Sequence, residues 1–99
     1  MTNKTSADGS SLTVALSGRL DTVTAPELEA GLKDSLEGIR ELVLDLNELE
    51  YISSAGLRVL LATHKSLTAE GGRMVIRGAN DLVKEVFEVT GFTEILNLE

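Results

Sequence analysis

Along residues 11–20 the apolar side chains Leu12, Val14 and Leu16 alternate with smaller or polar ones, the period of two that marks a half-buried strand. Residues 2–8, joined to it through Asp8-Gly9, are read as a short partner strand, with a partly disordered start over residues 1–10 as the alternative. A helix is then expected from Thr24-Ala25-Pro26-Glu27. There a hydroxyl at the N-cap, a proline in the first turn and a glutamate three residues on form a capping box. Leu28, Leu32 and Leu36 recur on one face of it, and Gly38 stands where a left-handed C-cap belongs.

A second strand is expected over residues 41–46, where Leu42-Val43-Leu44 runs without alternation, as in a parallel sheet buried on both faces. A connector carrying Glu48, Glu50, Tyr51 and Ile52 leads to Ser53-Ser54, whose hydroxyls can cap a long helix through Leu57, Leu60, Leu61 and Leu67. Gly71-Gly72 ends that helix, and Met74-Val75-Ile76 forms a third strand. Asn80-Asp81 can cap a last helix with Leu82, Val83, Val86 and Phe87, stopped by Gly91, before a closing strand of Ile95, Leu96 and Leu98. Strands and helices thus alternate. Right-handed crossovers turn that order into one α/β domain spanning residues 1–99, with a mostly parallel sheet of four to five strands and helices packed against it.

Composition narrows the functions open to such a domain. With 42% hydrophobic residues the 99-residue chain can bury a core of its own. Cysteine is absent, which removes disulfide scaffolds, zinc-thiolate sites and cysteine nucleophiles. Nine basic against sixteen acidic residues give a net charge of −7, unfavourable for nucleic acid and for anionic lipid surfaces. No window reaches the length of a membrane span and the amino terminus lacks an apolar signal core, so direct membrane insertion is not expected and a cytoplasmic location is the default. With 3% aromatic residues there is no obvious homodimer anchor, and a monomer is favoured.

Candidate chemistry is sparse. His64 is the sole imidazole, in mid-helix, and reads as structural, without a second histidine to build a metal site. A hydrolase using it with Asp45 or Asp21 lacks the G-x-S-x-G elbow, of which Ser54-Ala55-Gly56 is only half. Phosphate-cradling glycine loops are missing, and Glu48 and Glu50 read as a solvated edge rather than paired catalytic carboxylates. No cofactor or metal is called for, and an enzyme is not expected. What remains is Tyr51-Ile52-Ser53-Ser54-Ala55-Gly56-Leu57, placed after a strand and opening the longest helix, where backbone N–H groups favour an anion. Ser53 and Ser54 either cap that helix or, at Ser54, carry a phosphoryl group that adds roughly −1.5 to −2 charges and repels an acidic or apolar partner.

Three segments resemble the STAS domain family, and within it the stand-alone bacterial anti-sigma factor antagonists. They are Leu16-Ser17-Gly18-Arg19-Leu20-Asp21 with Thr24-Ala25; Leu44-Asp45-Leu46-Asn47; and Tyr51 through Leu57 running into Arg58-Val59-Leu60-Leu61. With the final helix and Gly91-Phe92, the likeness covers nearly the whole chain. It implies a phosphorylatable serine at Ser54, with Ser53 as the alternate because many members carry Asp where Ser53 stands. It further implies a supporting acidic residue at Asp21, and position makes Gly56 and Arg58 candidates for contact with a partner. Family members switch partners. The unmodified antagonist binds an anti-sigma factor that is also a serine kinase and thereby frees a sigma factor; phosphorylation by that kinase releases it, and a metal-dependent serine/threonine phosphatase resets the cycle. ATP and metal ions would belong to those partners. The alternative within the family is a STAS subunit of a membrane lipid-transport ABC complex, without the phosphoswitch.

Overall fold

The structure is a computed structural model that describes the backbone of residues 2–99 and the side chains of residues 5–99; Met1, the first residue of the expected domain, lies outside them. Its elements run β1 (Thr2–Asp8), β2 (Ser11–Leu20), α1 (Ala25–Ser35), β3 (Glu41–Ile52), α2 (Ser54–Ala69), β4 (Arg73–Arg77), α3 (Asp81–Val89), a 3-10 turn Phe92–Glu94 and β5 (Asn97–Leu98). The amino-terminal segment is therefore a strand, paired antiparallel to β2 from Thr2↔Ser17 to Asp8↔Ser11. The other pairings, β2 to β3, β3 to β4 and β4 to β5, are parallel.

Strand order in the five-stranded sheet follows chain order, β1-β2-β3-β4-β5. Three successive right-handed crossovers that all advance in one direction place all three helices on the same face. Burial agrees: Leu42, Leu44 and Leu46 of β3 join Leu12, Val14 and Leu16 of β2 in one core cluster with Leu28 and Leu32 of α1, Leu57, Leu60 and Leu67 of α2, and Val83 and Phe87 of α3. Val43 and Asp45 are only half-buried. The expectation that this strand is buried on both faces is thus corrected: a single helical layer covers one face, while on the other Val43 and Asp45 are half-buried, Val75 of β4 is buried beside Val43, and ion pairs such as Arg73 Nε to Glu41 Oε2 at 3.8 Å lie at its edge.

β3 differs most from the reading of the chain, running to Ile52 where a strand ending at Leu46 was expected. Its buried positions are Leu42, Leu44 and Leu46, then Leu49 and Ile52, so the spacing changes from two to three. The pairing with β2 gives the cause. Ala15 faces Asp45, Ser17 faces Glu48 and Arg19 faces Tyr51, so β3 spends two more residues than β2 over the same length. Each excess residue is a bulge, which bends a strand and re-aims its side chains. Glu48 and Glu50 are exposed as expected, but as strand residues and not as a connector. Beyond the end of β4, the Asn80 side chain donates to the Leu49 carbonyl at 3.0 Å and satisfies part of the unpaired edge.

The helix termini show three different solutions. The expected capping box at Thr24 and Glu27 sits three residues earlier: Thr24 makes no side-chain cap bond at the start of α1. Instead Asp21 Oδ1 accepts from the Thr24 N–H at 3.1 Å while Thr24 Oγ1 accepts from the Asp21 N–H at 2.9 Å, the reciprocal geometry of a capping box. α2 ends in a Schellman motif, with Gly71 at φ +80 and the Gly72 N–H donating to the Leu67 carbonyl at 2.7 Å. α3 is capped by Asn80 Oδ1, which accepts from the Val83 N–H at 2.8 Å. The expected closing strand shrinks to Asn97–Leu98, because the 3-10 turn before it leaves Leu96 buried and Ile95 exposed.

At Gly56 helix α2 approaches the ends of β2 and β3 closely. A Cβ built there would lie 2.7 Å from Leu20 Cγ and 3.0 Å from Ile52 Cγ1. Leu20 is fully buried and has no space to retreat into. Gly56→Ala is expected to destabilise the fold by about 1–3 kcal/mol, the usual cost of overpacking, read as a lower denaturation midpoint at unchanged slope. A loss below about 0.5 kcal/mol would show that α2 is free to shift.

Candidate functional site

Three sequence-predicted residues, Asp21, Ser53 and Ser54, come together where β2 and β3 end. Leu20 pairs with Ile52 as the last rung of the ladder, and the Ser53 N–H continues it by donating to the Leu20 carbonyl at 2.9 Å. Asp21 and Ser53 therefore leave the sheet side by side, at the carboxyl end of its parallel strands. Both bulges of β3 lie upstream of this point and set which side chains arrive there.

The adjacent serines have different surroundings. Ser53 is the N-cap of α2, with extended backbone at φ −98 and ψ 174, and its Oγ accepts from the Gly56 N–H at 3.3 Å. Ser54 is the first residue of the helix and exposed, and among the described residues nothing is hydrogen-bonded to its hydroxyl. Capping and exposure are thus divided between the two. Arg58, also exposed, lies one turn along from Ser54, a spacing that places both on one side of α2. Gly56 is buried against Leu20 and Ile52, so its place is in packing and it offers no side-chain surface.

Asp21 organises the neighbouring loop. Its Oδ1 accepts from the N–H groups of Val23 at 3.0 Å and Thr24 at 3.1 Å, and the Thr24 hydroxyl also reaches it at 3.2 Å. Arg19 Nε stands 3.9 Å from Asp21 Oδ2. The Thr24 backbone N–H above all lowers the Asp21 carboxyl from its ordinary value of 3.8; desolvation opposes it, and the Val23 N–H, the Thr24 hydroxyl and the Arg19 charge add to the lowering, which prevails.

Two further residues of this cluster, Arg19 and Tyr51, were not singled out as site residues in the sequence. They face each other across the strands, and the Arg19 guanidinium lies 4.3 Å from the centroid of the Tyr51 ring. Only a register that counts both bulges pairs them. Between α1 and α2 a shallow groove of about 400 Å³ opens beside the serines, lined by Thr22, Ala25, Pro26, Glu29, Ala55 and Arg58 among others. Val23, in the Asp21 loop, is 77% exposed.

The other candidates stay apart from this cluster. His64 is half-buried in mid-helix with its Nδ1 enclosed and unpartnered. Asp45 Oδ1 is engaged by the backbone and side-chain N–H groups of Asn47, at 3.0 and 2.6 Å. Among the described residues no three His, Cys, Asp or Glu side chains gather to hold a metal ion, and no helix is long and apolar enough to cross a membrane.

The family model described as Mlab, STAS domain, matches residues 3–97. The chain belongs to the STAS domain family. A Bordetella bronchiseptica protein bearing the provisional name anti-sigma factor antagonist BtrV is 44% identical over 85 residues, which cover 85% of this STAS domain and 73% of that protein. The anti-sigma-B factor antagonist of Staphylococcus aureus is 31% identical over 86 residues, covering 86% and 80%. Among solved structures, the anti-sigma factor antagonist SpoIIAA in its unphosphorylated form superposes with a TM-score of 0.87 at 17% identity, over 99% of this chain and 88% of that one. The Bacillus SpoIIAA in its phosphorylated form gives 0.78 at 16% identity, over 99% and 91%. The five-stranded mixed sheet with its helices is thus the SpoIIAA fold.

Because the folded-state value of Asp21 is lowered, its carboxylate stabilises the native STAS domain above the ordinary value of 3.8, and that contribution is lost as pH falls through the lowered one. Asp21→Asn is expected to melt below the wild type at neutral pH, with the gap closing as both proteins are acidified through this range. A gap that stays constant, or widens, from neutral pH down to about 2.5 would show that the charge has no part in holding the loop.

Proposed function

We propose that this STAS domain is an anti-sigma factor antagonist whose binding is controlled by phosphorylation of Ser54. The observation that carries the reading is the division between the serines. Ser53 supplies the cap, so the Ser54 hydroxyl is free and exposed at the first turn of α2, and it can be modified without removing the bond that starts the helix. The kinship supports the partner class, since two relatives above 30% identity are named as antagonists of anti-sigma factors. SpoIIAA, whose fold this chain shares, is known in a phosphorylated form.

The unmodified domain binds an anti-sigma factor that is also a serine kinase, and a sigma factor is released. Its contact face comprises the start of α2 with Ser54 and Arg58, the exposed Val23 and the groove beside them. In the back reaction the kinase transfers the terminal phosphoryl group of ATP to Ser54 Oγ, leaving ADP, and the hydroxyl proton is lost. The phosphate adds roughly −1.5 to −2 charges at a helix N-terminus, where the helix dipole tolerates an anion, so the fold persists while the partner is repelled. Asp21 acts by holding the adjacent loop in place. A serine/threonine phosphatase hydrolyses the ester and restores the binding form. The domain is a regulatory binding protein in this cycle, and the chemistry belongs to its partners.

Incubation with the candidate kinase and ATP, followed by intact-mass and peptide mass spectrometry, tests the assignment. One phosphate is expected on the wild type and on Ser53→Ala, and none on Ser54→Ala. Ser53→Ala should also lose about 1 kcal/mol of stability as the cap disappears. Ser54→Asp should remain folded and bind the kinase at least tenfold more weakly. Phosphate retained by Ser54→Ala would move the switch to Ser53, and no phosphate from an active kinase would leave the lipid-transport subunit as the better reading.

A further inference from the structure

Helix α3 carries more apolar surface than the core uses. Val83 and Phe87 are fully buried and anchor it to the sheet. Leu82, Val86 and Val89 lie one step further round the helix, spaced i, i+4 and i+7, which stacks them along one side over two turns. Leu82 is 51% exposed and Val89 80% exposed, with Val86 half-buried between them. With Glu85 and Thr90 these three line a shallow depression of about 280 Å³. Solvent-facing positions of a short amphipathic helix are ordinarily polar, and here three in a row are not.

We propose that this shoulder of α3 is a second docking surface, separate from the Ser54 face, and that its occupant is a basic amphipathic helix of a partner protein. Charge selects the partner. Glu85, exposed, borders the shoulder on its solvent side and lines the depression, while Asp81 and Glu88 lie further round the helix beside its lone cation, Lys84. The whole chain carries −7, so a second copy would set acid against acid, and an anionic lipid surface would be repelled. Size argues the same way. Three apolar side chains on a nine-residue helix fall short of the ~800 Å² per partner of a stable protein interface, whereas the apolar stripe of one helix laid along another needs two turns.

The surface does not require the phosphoswitch, since it shares no residue with the Ser54 groove. The α3 N-cap, Asn80, is nonetheless bonded to Leu49 of the strand that leads into Ser53, which ties the start of α3 to that strand.

A designed leucine–lysine amphipathic helix serves as the probe, titrated into the 15N-labelled protein and followed by amide shifts and calorimetry. Perturbed amides are expected along α3 and at its cap, with binding weakened by added salt. Leu82→Ser with Val89→Ser, both at exposed positions, should keep the wild-type melting profile and bind at least tenfold more weakly, and Glu85→Lys should also weaken binding. A leucine–glutamate helix of the same pattern should not bind. Ser54→Asp should leave the titration unchanged, which separates this surface from the switch. Shifts spread over the protein or centred on the Ser54 groove, or equal affinity in the serine double variant, would overturn the proposal. So would a dimer in sedimentation that the double variant abolishes, which would make a second copy the occupant.

Discussion

Helix α2 can enter against the end of β2 only because Gly56 has no side chain. The Gly56 α-carbon rests on Leu20 and Ile52, closer than any Cβ would allow. The same residue gives its N–H to Ser53 Oγ, and Ser53 gives its own N–H to Leu20, so three residues lock the helix start to the last rung of two strands. Ser54, next in the chain, is thereby held at a fixed place on the surface without taking part in the lock. Were Ser54 phosphorylated as proposed, the site would gain charge while the packing beneath it stays as it is.

The electrostatics around this point follow a similar separation. Asp21 is occupied by the Thr24 and Val23 N–H groups and stands beside Arg19, which is itself seated over Tyr51. These charges are largely satisfied within the loop, and exposed pairs of this kind contribute little stability of their own. Their effect is to fix the loop from which Val23 projects, next to the groove between α1 and α2. Arg58 is left on the same side of the helix as Ser54, on the face proposed for partner contact.

A sheet with helices on one face only needs a simple distribution of apolar residues, and the chain supplies it: one set of alternating positions in β2 and β3 enters the core, and the other faces water. The helices cannot cover both faces when every crossover has the same hand and the strands are laid down in order. α3 packs against β3, and its apolar stripe is wider than the core beneath it can cover. The excess is what singles that helix out among the three.

How much of this was legible in the chain can be read at particular residues. Alternation at Leu12, Val14 and Leu16, the four-residue repeat of Leu28 and Leu32, and the glycines after α2 and α3 are local signals, and local physics sufficed to place those elements. α1 starts where Thr24-Ala25 placed it, but its reciprocal cap forms between Asp21 and Thr24 in place of Thr24 and Glu27, and only the path of the chain leaving β2 chooses between them. β3 was cut short because its hydrophobic period changes from two to three where the bulges fall, and a bulge is defined by the neighbouring strand. The same cause hid the Arg19–Tyr51 pair. Composition and motif spacing by themselves determined the α/β class, the family resemblance and the pair of serines. Tertiary structure alone decided which serine caps and which is exposed, that Gly56 packs inward, and that α3 leaves an apolar shoulder, because each depends on how far apart two elements sit, a quantity no single stretch of sequence contains.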